Sequence, residues 1–103
     1  MKKGIVTILL GSIAVWAQAA DLKAGEEKAM GCVACHGPGG VSANPDWPSL
    51  AGQGQKYIEK QLKDFKSGER PNMVMQPQAG MLSDEDIVNV AAYFAAQTPP
   101  QAT

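Results

Sequence analysis

The chain has 103 residues, nine Lys or Arg against ten Asp or Glu, and one His, for a net charge of −1. That length holds a single domain, and the charge balance leaves no basic surface for nucleic acid. With two Trp, two Tyr and two Phe, and with 11 Gly and 7 Pro, the domain buries too little apolar surface to stand unaided. A disulfide, a metal or a large cofactor has to act as a staple.

Lys2 and Lys3 precede an apolar run from Gly4 to Trp16, and Ala17-Gln18-Ala19 puts small residues where signal peptidase requires them. We read residues 1–19 as a signal peptide cleaved near Ala19 or Ala20, and residues 20–103 as one mature domain exported to the periplasm. The run is shorter than the roughly 20 apolar residues that cross a bilayer, and Thr7, Gly11 and Ser12 dilute it. No membrane span is expected after processing. Without Lys2 and Lys3 the nine cations become seven against ten carboxylates, a net charge of −3.

The pattern predicts an all-α domain of three to five short helices and long loops. The first helix runs from Leu22 to Met30, capped by Asp21 and stopped at Gly31. From Gly37 to Gln55 the chain is punctuated by Gly37-Pro38-Gly39-Gly40, Asn44-Pro45-Asp46 and Trp47-Pro48, which excludes a regular helix or a central strand. So long a loop in a small domain calls for something to wrap around. Lys56 to Ser67 is an amphipathic helix with Ile58, Leu62 and Phe65 on one face and Gly68 at its end. Glu69 to Met81 is a second loop, with Pro71, Pro77, Gly80 and three methionines. Ser83 and Asp86 form a capping-box pattern opening a helix with Ile87, Val90, Ala91 and Phe94 as its apolar stripe, ended by Pro99-Pro100.

The chemistry concentrates at Cys32-Val33-Ala34-Cys35-His36. Cys-x-x-Cys-His is the attachment signature of c-type haem: two thiols add to the haem vinyl groups and the adjacent His becomes an axial iron ligand. A structural zinc site wants four Cys or His ligands, and this chain has three such residues. A thioredoxin-like dithiol expects a βαβ surround, which the pattern lacks. A disulfide from Cys32 to Cys35 closes a loop too short to stabilise a domain. One haem c per chain, covalently bound through Cys32 and Cys35, is the expected cofactor and staple.

His36 is the sole histidine, so a second histidine ligand within one chain is impossible. A methionine thioether is the natural sixth ligand. Met30 lies beside the motif and is expected to pack in the core. Met73, Met75 and Met81 all sit in the second loop, and spacing alone leaves the three open.

The segments Cys-Val-Ala-Cys-His-Gly at 32–37, Pro-Ser-Leu-Ala-Gly-Gln at 48–53, Tyr57 with Gln61-Leu62, and Leu82-Ser-Asp-Glu-Asp-Ile87 leading into Ala91-Ala-Tyr-Phe94 carry a resemblance to class I bacterial cytochromes c. It covers essentially the whole mature chain. The chain most resembles the small periplasmic mono-haem proteins, or one domain of the di-haem ones. In that family the ligating Met precedes the Ser that opens the last helix, often with Pro two residues after it. The resemblance therefore implies Met75, before Pro77 and Ser83, with Met73 and then Met81 as alternatives. It also implies that the Pro48 carbonyl accepts a hydrogen bond from the ring of His36, and that Gly25 on the first helix lets Tyr93 on the last approach.

Iron ligated by protein on both faces leaves no open position for substrate, so an electron-transfer protein is expected rather than an enzyme. The resemblance implies transient redox partners: a quinol-oxidising complex or a dehydrogenase as donor, and a terminal oxidase or reductase as acceptor. The alternative is a permanent subunit of a redox enzyme. Lys56, Lys60, Lys63 and Lys66 are either a docking face or a solvated one, and Trp47 either shields a haem edge or fills its loop.

Overall fold

The computed structural model describes Gly4 and residues 19–101; apart from Gly4 and Ala19, the expected leader lies outside the described residues. Four helices follow one another without a strand among the described residues: α1 (Leu22–His36), α2 (Gln55–Ser67), α3 (Met75–Gly80) and α4 (Asp84–Ala95), with a 3-10 turn at Pro38–Gly40 after α1. The all-α expectation holds.

α1 begins as its sequence dictates, with the Asp21 carboxylate accepting the Ala24 N–H at 3.0 Å. It does not stop at Gly31, however, but runs on through the cysteines to His36. A glycine inside a helix costs about 1 kcal/mol, which the tertiary contacts of Ala29, Cys32 and Val33 with the core offset. The stop comes at Gly37, where φ is 87°, a region closed to most residues with a side chain.

α1 packs against α4, and α4 also meets α2. The approach of α1 to α4 is close: a Cβ on Gly25 would fall 2.1 Å from the Asn89 carbonyl oxygen and 3.1 Å from Tyr93 Cβ. The pairing expected between Gly25 and Tyr93 is present, with the Asn89 backbone as the tighter neighbour. Asn89 adds a bond invisible to local pattern, its Oδ1 accepting the Asp21 N–H at 2.9 Å.

α2 buries Ile58, Leu62 and Phe65 and ends at Gly68, as read from its period. α4 carries the full capping box: Asp86 N–H donates to Ser83 Oγ, and Ser83 N–H to Asp86 Oδ2, each at 3.0 Å. It ends at Ala95, short of Pro99. Ile87, Val90, Ala91 and Phe94 meet Ala29, Ile58, Leu62, Phe65, Ala79 and Leu82 in one core.

Two further expectations are corrected. The stretch from Glu69 to Met81 is not wholly loop, because α3 forms within it; Pro77 stands in its first turn, where the missing N–H has no intrahelical acceptor to lose. Met30 is no core residue: it is 68% exposed.

Candidate functional site: the end of α1 and the segments facing it

The cysteine motif occupies the last two turns of α1. Residues three apart on a helix are neighbours, so Cys32 and Cys35 present their thiols from adjacent positions. Both are unbridged, Cys32 half-buried and Cys35 exposed. Burial pushes the Cys32 thiol above its ordinary value of 9.0, and the neighbouring Cys35 adds to the rise.

His36 is buried, 7% exposed. Its Nδ1 lies 2.7 Å from the Pro48 carbonyl oxygen. A carbonyl can only accept, so Nδ1 carries a proton and donates it, which leaves Nε2 as the nitrogen that can bind a metal. Pro48 is placed by a loop that bonds to itself and to the fold. Ser42 N–H donates to Ser49 Oγ at 3.0 Å, and Leu50 and Ala51 N–H donate to the Gly40 carbonyl at 2.7 and 3.1 Å. Gly52 N–H donates to the Phe94 carbonyl at 2.9 Å, tying the loop to the end of α4.

On the other side of the motif a cavity of about 210 Å³ opens between α1 and α3, walled by Cys32, Leu62, Met75, Ala79, Met81 and Leu82 among others. Met75 is half-buried and packs against the core. Met81 reaches the cavity wall but is 70% exposed, and Met73, 96% exposed, is absent from it. The structure thus brings Cys32, Met75 and Met81 together around one cavity and His36 together with Pro48, and leaves Met73 in solvent.

The donor set suits a haem: two thiols on adjacent positions of one helix, an imidazole with its Nε2 free of the Pro48 bond, a thioether, and an apolar wall. Trp47 is 40% exposed and does not fill its loop. Three of the four lysines on α2 are engaged within the chain. Lys56 pairs with Glu59, Lys60 with Asp64, and Lys66 donates to the Leu82 carbonyl.

The profile of the family described as cytochrome c matches residues 22–97. This chain belongs to the cytochrome c family. A cytochrome c domain carries covalently bound haem c, and Cys32 and Cys35 are the residues present to hold it. The chain is 44% identical over 110 residues to cytochrome c4 of Azotobacter vinelandii, covering 96% of this chain and 52% of that one. It is 40% identical over 104 residues to a thiosulfate dehydrogenase electron acceptor of Stutzerimonas stutzeri, covering 94% and 47%. Among solved structures, reduced recombinant cytochrome c4 from Pseudomonas stutzeri superposes with a TM-score of 0.75 at 41% identity, over 80% of this chain and 48% of that one. This cytochrome c chain therefore spans about half the length of those relatives. None of its described helices is long and apolar enough to cross a membrane.

Proposed function

We propose that the chain is a periplasmic carrier of single electrons, with His36 and Met75 as the axial ligands of its haem iron. The observation that carries this reading is the hydrogen bond from His36 Nδ1 to the Pro48 carbonyl at 2.7 Å. It commits the ring to one tautomer and one orientation, and a bond of this kind raises the basicity of the free nitrogen. Met75 is favoured over Met73 and Met81 because it alone is packed against the core while lining the cavity beside Cys32.

When bound, haem supplies a one-electron couple, and a thioether opposite an imidazole raises its potential. The chain's own residues fix the ligands and exclude water. Leu62, Ala79 and Leu82 line the cavity with hydrocarbon. Pro48 prevents rotation of the imidazole. With both ligands supplied by the protein no position remains for substrate, which supports a carrier rather than an enzyme. The relatives named cytochrome c4 agree with that role. A quinol-oxidising complex or a dehydrogenase as donor, and a terminal oxidase or reductase as acceptor, fit a carrier in that compartment.

The test is the weak far-red charge-transfer band of the oxidised protein, which reports a bond from sulfur to ferric iron. Met75→Ala is expected to abolish it, while Met73→Ala and Met81→Ala retain it. Survival of the band in Met75→Ala refutes the assignment. Export is tested by sequencing the N-terminus of protein from the periplasmic fraction, expected to begin at residue 20 or 21.

A second reading, a permanent subunit of a redox enzyme, is favoured by the likeness to the cytochrome subunit of sulfide dehydrogenase of Chlorobaculum tepidum. Size-exclusion of the native protein separates the two: a free carrier elutes as the haem protein alone, a subunit with its enzyme.

A further inference from the structure

α3 has six residues, includes Pro77 and Gly80, and buries only Ala79 completely. Helices so short do not persist in water by themselves, since nucleation is costly and few bonds follow it. Something has to hold the first turn, and every N–H in that turn can be traced. Val74 N–H and Met75 N–H both donate to Asn72 Oδ1, at 2.9 and 2.8 Å. Gln76 N–H donates to the Asn72 carbonyl at 3.0 Å. Pro77, next in line, has no N–H. One residue therefore accepts every donor that the first turn possesses.

Asn72 is itself exposed, so it makes this contribution without packing into the core. The far end of α3 is held separately, by the burial of Ala79 and by Lys66 donating to the Leu82 carbonyl. Neither of those contacts touches the backbone of Met75.

We infer that Asn72 is a positioning residue for Met75, its side-chain oxygen fixing the backbone from which the thioether reaches toward the haem site. The inference rests on Met75 being the axial ligand. Without the Asn72 side chain the Met75 and Val74 N–H groups turn to water, the first turn frays, and the sulfur leaves its place more often. Loss of a helix cap of this kind raises the population of the detached state about fivefold.

Carbon monoxide binding to the reduced, haem-loaded protein reads that population, because the gas enters only when the sulfur has left. Asn72→Ala is expected to bind carbon monoxide about fivefold faster than the wild type. Asn72→Asp, which keeps an acceptor oxygen at the same distance along the side chain, is expected to restore the slow rate. Ser83→Ala, which removes the cap of α4 instead, is expected to leave the rate unchanged. A wild-type rate in Asn72→Ala, or an equal acceleration in Ser83→Ala, overturns the inference. Met75→Ala separates the two levels: if it keeps the far-red band, the Met75 assignment fails and the role of Asn72 with it. If it loses the band while Asn72→Ala binds carbon monoxide at the wild-type rate, the role of Asn72 alone fails.

Discussion

Residues 41–54 and residues 69–82 both arrive at the proposed haem site from loops, yet they are held in different ways. The first delivers the Pro48 carbonyl and is bonded along its length, to the Gly40 carbonyl twice, to the Phe94 carbonyl, and to itself through Ser42 and Ser49. The second delivers Met75 on one short helix, whose first turn is fixed by Asn72; Arg70 anchors the segment before it, through its N–H to the Asp64 carbonyl and its side chain to Gln61 and the Phe65 ring, and Ala79, Leu82 and Lys66 hold the end. A turn with few independent attachments opens locally at lower cost than one with many. The loop around Pro48 is held by several backbone bonds, whereas the turn bearing Met75 depends on Asn72, and that turn is the part expected to open first.

The largest break in this contrast is expected from Phe94→Ala. Phe94 is fully buried, and Gly40, whose carbonyl anchors the first loop, sits against its ring. Loss of a buried Phe costs about 3–5 kcal/mol, and here it loosens the better-held loop as well, so the denaturation midpoint of the haem-loaded protein is expected to fall steeply. Ser49→Ala is expected to cost about 1 kcal/mol, the worth of one hydrogen bond, without altering the haem spectrum, because Pro48 keeps its other anchors. A spectral change as large as that of Met75→Ala would show that the two loops are equally fragile.

The smallest effect concerns pH. The bond from the Ser83 N–H lowers the Asp86 carboxyl below its ordinary 3.8, with the Ser83 hydroxyl and Lys28 as lesser contributors. A carboxylate lowered by folding stabilises the fold above its unfolded value, and that stabilisation is lost as pH falls through the folded one. The capping box belongs to α4, so this loss is expected in the stability of the last helix rather than in the hold on Met75. Urea midpoints measured from about pH 5 down to pH 2 are expected to fall less in Asp86→Asn than in the wild type. Lys28, whose ion pair with Asp86 spans 3.5 Å at the surface, is expected to contribute below about 1 kcal/mol.

Much of this was legible in the chain. Asp21, Ser83 with Asp86, and Gly68 mark helix ends through chemistry confined to a few neighbouring residues, and each stands where that chemistry puts it. Cys32-Val33-Ala34-Cys35-His36 announced the cofactor for the same reason. What local pattern misjudged depended on distant partners. Gly31 reads as a helix stop, but core contacts on either side of it carry α1 onward to Gly37. Pro77 reads as loop, and became helix because it fell in a first turn. The bond from Asp21 to Asn89 spans 68 positions, and no periodicity signals it. The anchoring of the first loop had a fainter local sign, the Ser and Asn residues at 42, 44 and 49, whose side chains bond to nearby backbone and so build turns.

The bond from Gly52 to the Phe94 carbonyl has a consequence for measurement. An amide in a loop ordinarily trades its hydrogen for deuterium quickly, but this one, held at 2.9 Å, is released when the loop and the end of α4 part. In an isotope-exchange experiment Gly52 should therefore exchange more slowly than the unbonded amides of its loop, giving a single backbone probe of when that loop comes away from the last helix.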